Sequence, residues 1–220
     1  MTELEKRIEY TFLDEELLHT ALTHTSYANE VKMTGNHNER LEFLGDSVLS
    51  VIVSDHLFKT HQKQQEGKLT KTRAALVNEK ALFAYAKKIS LGNYLYLGKG
   101  EDQNGGRERP SICADAFEAL IAAIYIDGGY NAAKAFVLPF VEHELTNLDD
   151  YKTQLQEVIQ QNPGEKLRYF TVKETGPDHD KNFEVEVHLN SNVIGKGTGH
   201  SKKEAEQEAA KEALALMGIL

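Results

Sequence analysis

Hydrophobic residues in the first two thirds of the chain recur every three or four positions, which is the spacing of one helix face. Leucine and alanine follow this spacing in residues 17–22 and again in residues 74–84. Few stretches in this part alternate between apolar and polar residues, as half-buried strands do. The pattern predicts a succession of amphipathic helices from Leu4 to about Leu145.

A different pattern begins after the short polar segment 146–150. Residues 151–161 favour a helix, which an Asn-Pro-Gly sequence ends. Residues 167–173 and 182–189 then alternate between apolar and polar side chains, which is typical of strands. Residues 192–197 can form a third short strand.

A final helix is predicted from Ser201, because Ser201 and Glu204 have the spacing of a capping box. Apolar residues between Ala205 and Met217 supply its buried stripe. The order is α-β-β-β-α over about seventy residues, a size that can fold alone. We therefore predict an all-helical domain at residues 1–145 and a small α+β domain at residues 151–220, joined by the polar segment as a linker.

Carboxylates interrupt the apolar helix that is predicted around residues 38–52. Glu39, Glu42 and Asp46 are three and four positions apart, so they share a helix face on which like charges repel. Leucine, valine, isoleucine and phenylalanine surround them and leave little room for solvent. A carboxylate in such a setting is unfavourable unless it is protonated, paired or bound to a cation.

A second apolar helix, predicted at residues 112–126, carries Asp115 and Glu118 as its only charges. If the two helices pack together, four carboxylates can converge beside Glu39, namely Glu42, Asp46, Asp115 and Glu118. Oxygen donors without cysteine or histidine favour a hard cation, Mg²⁺ first and Mn²⁺ second, over Zn²⁺. A single acidic pair is most often a solvated helix face. Two pairs, each in an apolar helix, favour a metal site.

Composition sets limits on location. The single cysteine, Cys113, excludes an internal disulfide and indicates a reducing, cytoplasmic setting. The N-terminus is charged and lacks the apolar core of a signal peptide, and no apolar run reaches membrane-spanning length. We therefore expect a cytoplasmic protein without a membrane partner.

The net charge of −9 argues at first sight against nucleic acid as a partner. The acidic excess, however, lies mostly in residues 1–150, the part that contains the proposed metal site. Local positions of lysine must therefore decide whether the chain binds a polyanion.

A polar, glycine-rich segment, Gly98–Pro110, separates the earlier helices from the second acidic helix. It lacks the Gly-Lys-Ser/Thr ending of a loop that holds phosphates. We expect it to be a flexible loop that binds no nucleotide.

Four segments of the helical part match the pattern of one known family. They are Asn-Glu-Arg-Leu-Glu-Phe-Leu-Gly-Asp-Ser at 38–47, Ala-Leu-Thr-His-Thr-Ser at 21–26, Glu-Gly-Lys-Leu-Thr-Lys-Thr-Arg at 66–73 and Asp-Ala-Phe-Glu at 115–118. With these segments the first part resembles the endonuclease domain of the ribonuclease III family.

The second part carries Gly-Pro-Asp-His at 176–179, before the second predicted strand, and Ser-Lys-Lys-Glu-Ala-Glu at 201–206, at the start of the last helix. In this it is similar to a double-stranded-RNA-binding domain. The two resemblances cover nearly the whole chain, and their order and length are specific for the bacterial ribonuclease III type.

The resemblance implies roles for particular residues of the endonuclease domain. The metal-binding carboxylates of the family fall on the four acids that the charge argument selects: Glu42, Asp46, Asp115 and Glu118. Glu39 and Glu66 match two further acids near the cleavage site. Phe43 matches an aromatic residue that inserts into the partner subunit of a homodimer, although a phenylalanine in an apolar run is by default a core residue. Cys113 replaces a more usual aliphatic residue and should be a harmless buried side chain.

The RNA-binding part can be interpreted from the shape of an A-form duplex. One polar helix face suited to a minor groove is formed by Thr153, Gln156, Glu157 and Gln160. His179 can reach the next minor groove, and Lys202 and Lys203 can meet the phosphates between them, where the positive end of a helix adds to the ammonium charge. Each feature alone is usually a solvated surface. Their combination in one module favours recognition of duplex shape.

The expected function is that of a metal-dependent endoribonuclease that cuts double-stranded RNA. The resemblance implies 5′-phosphate and 3′-hydroxyl ends, short 3′ overhangs, and a role in rRNA and mRNA processing. The first alternative is a non-catalytic double-stranded-RNA-binding protein or scaffold. The second alternative is a metal-dependent hydrolase of small phosphorylated molecules. This alternative gives no role to the last seventy residues, which are long enough to form a small domain. For His24 we expect a structural or hydrogen-bonding role and not a role in acid-base catalysis.

Overall fold

The computed structural model describes residues 1–32, 37–148, 151–160, 164–177 and 181–219, with the backbone alone for 146–148. The chain divides into two compact units, Met1–Thr146 and Asn147–Leu220. Each unit has its own hydrophobic core and is described by itself.

The first unit is helical. Its helices are α1 (Glu3–Ile8), α2 (Glu15–Leu22), α3 (Thr25–Glu30), α4 (Glu39–Thr60), α5 (Glu66–Leu76), α6 (Glu79–Lys88), α7 (Lys99–Gln103) and α8 (Pro110–Leu148). Two short 3₁₀ turns lie at Leu91–Tyr94 and Gly106–Glu108. Among its described residues, one strand-like pairing is present, a parallel bridge between Thr23 and Tyr96. The prediction of an all-helical first part is confirmed.

Two long helices, α4 and α8, supply much of the core of this unit. Leu49, Ile52 and Val53 of α4 are fully buried, as is the run from Ala119 to Ile124 in α8. A helix that is apolar on every side belongs in the interior, so the first half of α8 lies within the unit and carries its two acidic residues there.

The long helix α8 is interrupted at Gly129, whose φ of 78° lies in the left-handed region that favours glycine. Just before the interruption, the Asp127 carboxylate accepts hydrogen bonds from the Tyr10 hydroxyl at 2.6 Å and from the backbone N–H groups of Leu13 and Asp14 at 2.9 Å. These hydrogen bonds therefore join the residues just before the interruption to the segment between α1 and α2. α8 ends at Leu148, within the segment that the sequence marks as a linker.

The expectation of a flexible loop at Gly98–Pro110 is wrong, because this segment contains α7 and a 3₁₀ turn. Arg107 holds it in place. Its guanidinium group pairs with Asp102 at 2.8 Å and donates to the backbone carbonyls of Gly92 and Leu95 at 3.0 and 2.9 Å. A charged side chain that satisfies several acceptors at once orders a polar segment that has little apolar surface to bury.

The second unit has the order α-β-β-β-α that the sequence predicts. It consists of α9 (Tyr151–Gln160), β1 (Leu167–Thr175), β2 (Asn182–Leu189), β3 (Asn192–Gly199) and α10 (Lys202–Leu216). The strands form one antiparallel sheet in the order β1-β2-β3. β3 extends to Gly199, two residues beyond the predicted end.

Both helices of the second unit pack over the sheet. Leu155 and Ile159 of α9 and Val185 and Val187 of β2 are buried with the alanine stripe of α10. Small alanine side chains let α10 lie close to its neighbours. The core of this unit is therefore assembled from the helix and strand periodicity seen in the sequence.

The first turn of α10 follows only half of the capping-box pattern. The Ser201 hydroxyl accepts a hydrogen bond from the Glu204 N–H at 3.2 Å, as predicted. The Glu204 carboxylate accepts from the His200 N–H at 2.8 Å and not from Ser201. Two backbone donors at the helix start are still satisfied. Among the helices that the structure describes, none is long and apolar enough to cross a membrane.

Candidate active site

The candidate active site lies where α4 crosses the first half of α8. Gly45 makes this crossing possible, because a Cβ atom at position 45 would overlap the backbone carbonyl of Glu118. Gly45 was not among the functional residues predicted from the sequence. The signal that could have found it is a glycine inside an apolar helix, which often marks a close backbone approach.

Three carboxylates meet at this crossing. One side-chain oxygen from each of Glu42, Asp115 and Glu118 lies within 4.8 Å of the others, and all three side chains are half-buried. Glu42 comes from the first turns of α4, and the other two come from one face of α8. The structure thus brings together three of the four acids that the sequence selects as metal ligands.

Among the acidic groups that the structure describes, the Glu118 carboxyl has the most strongly shifted pKa. Burial, followed by the negative charges of Asp46, Glu42 and Asp115, raises the pKa of the Glu118 carboxyl to about 8. The charged form is disfavoured both by desolvation and by like charge. A group in this state gains from any cation that binds beside it.

The other two members are shifted in the same direction. Burial, with the charges of Asp115 and Glu39, raises the pKa of Glu42. Burial, with the charge of Glu79, raises the pKa of Asp115, while His24 acts to lower it. The concentration of shifted carboxyl groups in one place is typical of functional sites.

Glu79, in the first turn of α6, is a sixth acid in this region, and its charge acts on Asp115. It was not predicted from the sequence. It lies in a separate helix, outside the two apolar acidic segments. Sequence spacing relates residues within one helix only, so it contained no signal for this contact.

Asp46 and Glu39 lie at the edge of the cluster. Asp46 is exposed and does not belong to the group within 4.8 Å, although its charge raises the pKa of Glu118. Glu39 is exposed and its carboxylate lies 3.8 Å from Nδ1 of His37. Both residues therefore contribute negative charge from the solvent side.

Glu66 lies at the start of α5, outside the cluster. Its carboxylate accepts a hydrogen bond from the Thr70 hydroxyl at 2.7 Å. It lines a groove of about 650 Å³ between α4 and α5, together with Val51, Phe58 and Arg73. In this unit the groove is a separate feature from the three-carboxylate cluster.

The start of α4 is held by the segment that precedes α3. The Asn38 N–H donates to the Thr23 carbonyl at 2.9 Å, and the His24 N–H donates to the Tyr96 carbonyl at 3.1 Å. Nδ1 of His24 accepts from the Ser26 N–H at 3.3 Å and lies 2.8 Å from its hydroxyl. His24 thus caps α3 and helps to fix the position from which Glu39 and Glu42 extend.

Phe43 departs from the default expectation for a phenylalanine in an apolar run, since it is 79% exposed. Val51 and Phe58, farther along α4, are also exposed. The three lie on one side of the helix because they are separated by eight and seven residues. Cys113, in contrast, is buried as expected, and its thiol donates to the Arg107 carbonyl.

In the second unit, the polar face of α9 is exposed as the sequence predicts. Its members are Thr153, Gln156, Glu157 and Gln160. The opposite face buries Leu155 and Ile159. The helix is therefore divided into a core side and a solvent side, and the four polar residues all lie on the second.

Lys202 and Lys203 are exposed at the N-terminal end of α10. The ammonium group of Lys202 lies 5.7 Å from the centre of the Phe183 ring. At a helix N-terminus these cations add to the positive end of the helix dipole. His179, the third predicted contact, lies outside the described residues.

Comparison with protein families agrees with this geometry. Residues 14–145 match the family model described as Ribonuclease-III-like, and residues 151–217 match the double-stranded RNA binding motif. The chain belongs to the ribonuclease III family. The endonuclease match contains all the acids of the cluster, and the RNA-binding match contains α9, the sheet and the start of α10.

Proteins named Ribonuclease 3 match nearly the full length. The one from Natranaerobius thermophilus is 50% identical over 204 residues, which is 90% of this chain and 89% of that protein. The one from Caldanaerobacter subterraneus is 49% identical over 226 residues, covering 100% of this chain and 99% of that protein. The likeness therefore includes both units in the same order.

A solved structure with this fold is the nuclease domain of ribonuclease III from Campylobacter jejuni, which is described as flexible in a region involved in dimer formation. It is 44% identical, has a TM-score of 0.60, and covers 64% of this chain and 95% of the domain. As a member of the ribonuclease III family with both domains, this protein is a metal-dependent, double-strand-specific endoribonuclease that binds double-stranded RNA.

Proposed function

We propose that Glu42, Asp46, Asp115 and Glu118 hold Mg²⁺ and form the site at which this endoribonuclease hydrolyses RNA phosphodiester bonds. The observation that carries the proposal is the group of three half-buried carboxylates within 4.8 Å of one another, each with a raised pKa. Such a group is unfavourable without a cation, because burial and like charge both oppose ionisation.

The donor set fits a hard divalent cation. The three clustered side chains offer carboxylate oxygens only, which suit Mg²⁺ or Mn²⁺ better than Zn²⁺. Asp46, exposed beside the cluster, can complete the set from the solvent side. We propose Mg²⁺ as the cofactor and Mn²⁺ as its substitute.

Each acidic residue then has a proposed role. When bound, the metal activates the attacking water and offsets the charge that develops on the scissile phosphate. Glu118, whose pKa is raised to about 8, would give up a proton to hold it, and Glu42 and Asp115 would offer carboxylate oxygens beside it. Glu39 and Glu66, both exposed, are proposed to act near the cleavage site in a less direct role than the four metal ligands. We propose, from the resemblance to the family, that hydrolysis leaves 5′-phosphate and 3′-hydroxyl ends.

We further propose that two copies of the chain form the active enzyme. The support is the exposed apolar side of α4, with Phe43, Val51 and Phe58, next to the groove between α4 and α5. A twofold dimer presents one site to each of the two antiparallel strands of a duplex. Short 3′ overhangs then follow from the separation of the two sites.

The two parts of the chain divide the work in this proposal. Residues 1–145 cut, and residues 151–220 bind the duplex through the α9 face, His179 and the lysines Lys202 and Lys203. These contacts recognise the shape of A-form RNA and not its base sequence. Structured duplexes in rRNA and mRNA precursors, processed in the cytoplasm, are the proposed substrates.

The competing function is a scaffold that binds double-stranded RNA without cutting it. A scaffold has no need for buried like charges, which destabilise a fold unless a cation compensates them. The retained cluster of Glu42, Asp115 and Glu118 therefore favours the enzyme.

The decisive experiment incubates the full chain with a long perfect RNA duplex, with and without Mg²⁺, and reads product length and end chemistry. We expect cutting with Mg²⁺ and none in excess EDTA. Glu118→Gln keeps the side-chain shape but removes the charge, so cleavage should fall by orders of magnitude while RNA binding persists. Glu16→Gln, on the exposed surface of α2, is the matched control. Activity of Glu118→Gln within a few-fold of that of the control would remove Glu118 from the site.

A further inference from the structure

One ion pair links the two helices that carry the proposed RNA contacts of the second unit. Nζ of Lys152, in the first turn of α9, lies 2.6 Å from a carboxylate oxygen of Glu206 in α10. The backbone N–H of Lys152 also donates to Oε1 of Gln207 at 3.1 Å. The start of α9 is therefore bonded twice to the second turn of α10.

The Lys152 side chain also contacts the sheet. Its ammonium group lies 4.7 Å from the centre of the Tyr169 ring in β1. The side chains of Lys152 and Glu206 are 34% and 28% exposed, so the pair is partly shielded from solvent. A shielded pair with a second contact has less freedom than an ordinary surface ion pair.

The position of Glu206 makes this pair relevant to RNA. Glu206 follows Lys202 by four residues and Lys203 by three, so it shares a helix face with both. Left to itself, its carboxylate would lie beside the lysines and near the RNA phosphates. Lys152 holds it instead, just as the His200 N–H holds the carboxylate of Glu204. Both acids beside the lysine pair are thus bound by other groups.

We propose that Lys152 and Glu206 are positioning residues for double-stranded-RNA binding. The pair fixes α9 against the N-terminal end of α10, so that the polar face beginning at Thr153 and the lysines at 202 and 203 meet one duplex together. It also neutralises the Glu206 charge close to the phosphates. The inference rests on the proposed RNA-binding face and adds the contact that aligns its two helices.

The test measures binding of the full chain to a perfect RNA duplex of roughly twenty base pairs, longer than the ~16 that one module spans. Binding is measured in EDTA across a salt series, so that no cutting occurs. Glu206→Gln and Lys152→Met should each weaken binding roughly two- to ten-fold. The double variant should bind RNA no more weakly than either single variant, because each single substitution already removes the same Lys152–Glu206 interaction. Lys152→Arg, which keeps the charge, should bind almost like wild type.

Other outcomes would overturn the inference. Tighter binding by Glu206→Gln would mean that Glu206 only repels phosphate. A salt slope lowered by about one in Lys152→Met would make Lys152 a phosphate contact. Additive losses in the double variant would mean that the residues act separately. If Lys152→Met does not fold, the Glu206→Gln result decides by itself.

Two controls separate this inference from the proposed RNA face. Lys196→Met removes an ion pair within the sheet, with Glu186 at 2.7 Å, and should leave affinity unchanged. Lys202→Ala with Lys203→Ala tests the face itself. If the lysine variant loses affinity while the pair variants do not, only the positioning role fails. If neither loses affinity, the proposed face fails too.

Discussion

Gly45 of α4 and Glu118 of α8 touch through their backbones, and a Cβ atom at position 45 would overlap the Glu118 carbonyl oxygen. Glu42 precedes Gly45 by three residues, one helical turn, so this contact also sets the distance between Glu42 and Glu118. The geometry of the carboxylate cluster therefore depends on a residue that has no side chain.

Gly45→Ala should force the two helices apart, because the group that a methyl would meet is backbone and cannot rotate away. We expect a loss of about 1–3 kcal/mol in the free energy of unfolding, as for other overpacked cores. Cleavage should fall on the order of a hundred-fold, since small displacements of catalytic groups are that costly. Denaturant unfolding and single-turnover cleavage are the measurements.

The matched control is Gly67→Ala in α5, where an added Cβ meets nothing within 4 Å. Alanine is a better helix former than glycine, so this variant should be as stable as wild type or more so. Equal activity of the two alanine variants would show that the close approach at Gly45 does not govern the site.

Metal binding should release a proton near neutral pH. With its pKa raised to about 8, the Glu118 carboxyl is mostly protonated at about pH 7 in the metal-free protein. A cation needs the carboxylate, so the proton must leave. Titration of Mg²⁺ in two buffers of different ionisation enthalpy should show this release, and Glu118→Gln should abolish it. Identical heats in both buffers would contradict the assignment.

The same shift predicts how the metal-free protein responds to pH. The folded state keeps a proton on Glu118 that the unfolded chain releases above its ordinary pKa of 4.5. Stability is therefore lost as pH rises through the range from about 4.5 to about 8. Thermal unfolding in EDTA should show this decline, and the decline should be smaller in Glu118→Gln. A melting temperature that rises over this range in wild type but not in the variant would reverse the sign of the argument.

Phe43→Ala should weaken self-association without weakening the fold of a single copy, because this side chain is 79% exposed. Loss of a central aromatic contact from an interface often costs about 2 kcal/mol or more. Sedimentation across a concentration series should show dimers dissociating at concentrations at least about tenfold higher. Leu13→Ala, at an equally exposed apolar residue outside α4, should sediment like wild type.

Mixed dimers should cut one strand of a duplex. Wild-type and Glu118→Gln subunits, carrying different tags and purified together, would have one competent site for two strands. Native gels should show an intact duplex, and denaturing gels should show a single nick. Complete double-strand cutting by purified mixed dimers would mean that one site serves both strands.

Replacing Lys202 and Lys203 together by alanine should weaken duplex binding and reduce its salt dependence. Each lost phosphate contact lowers the slope of log affinity against log salt by about one. At low salt, cleavage should persist through the endonuclease part. An unchanged slope would leave the two lysines as ordinary surface charge.

Much of the fold was determined by local sequence patterns. The spacing of Glu42 and Asp46, and that of Asp115 and Glu118, fixed which acids share a helix face, because an α-helix has 3.6 residues per turn. The alternation in 182–189 likewise fixed which β2 residues enter the core. These features depend on neighbours within one element, so the sequence alone was sufficient.

Tertiary structure decided which faces meet and which stay open. It brought Asp115 and Glu118 to Glu42, left Asp46 exposed and added the charge of Glu79 from another helix. It also left Phe43 exposed, although the apolar residues around it in the sequence predict a buried side chain. The segment around Arg107 is ordered by contacts with residues that are distant in sequence. Periodicity assigns a residue to a side of its own helix, but burial, charge coupling and close approach depend on what packs against that side.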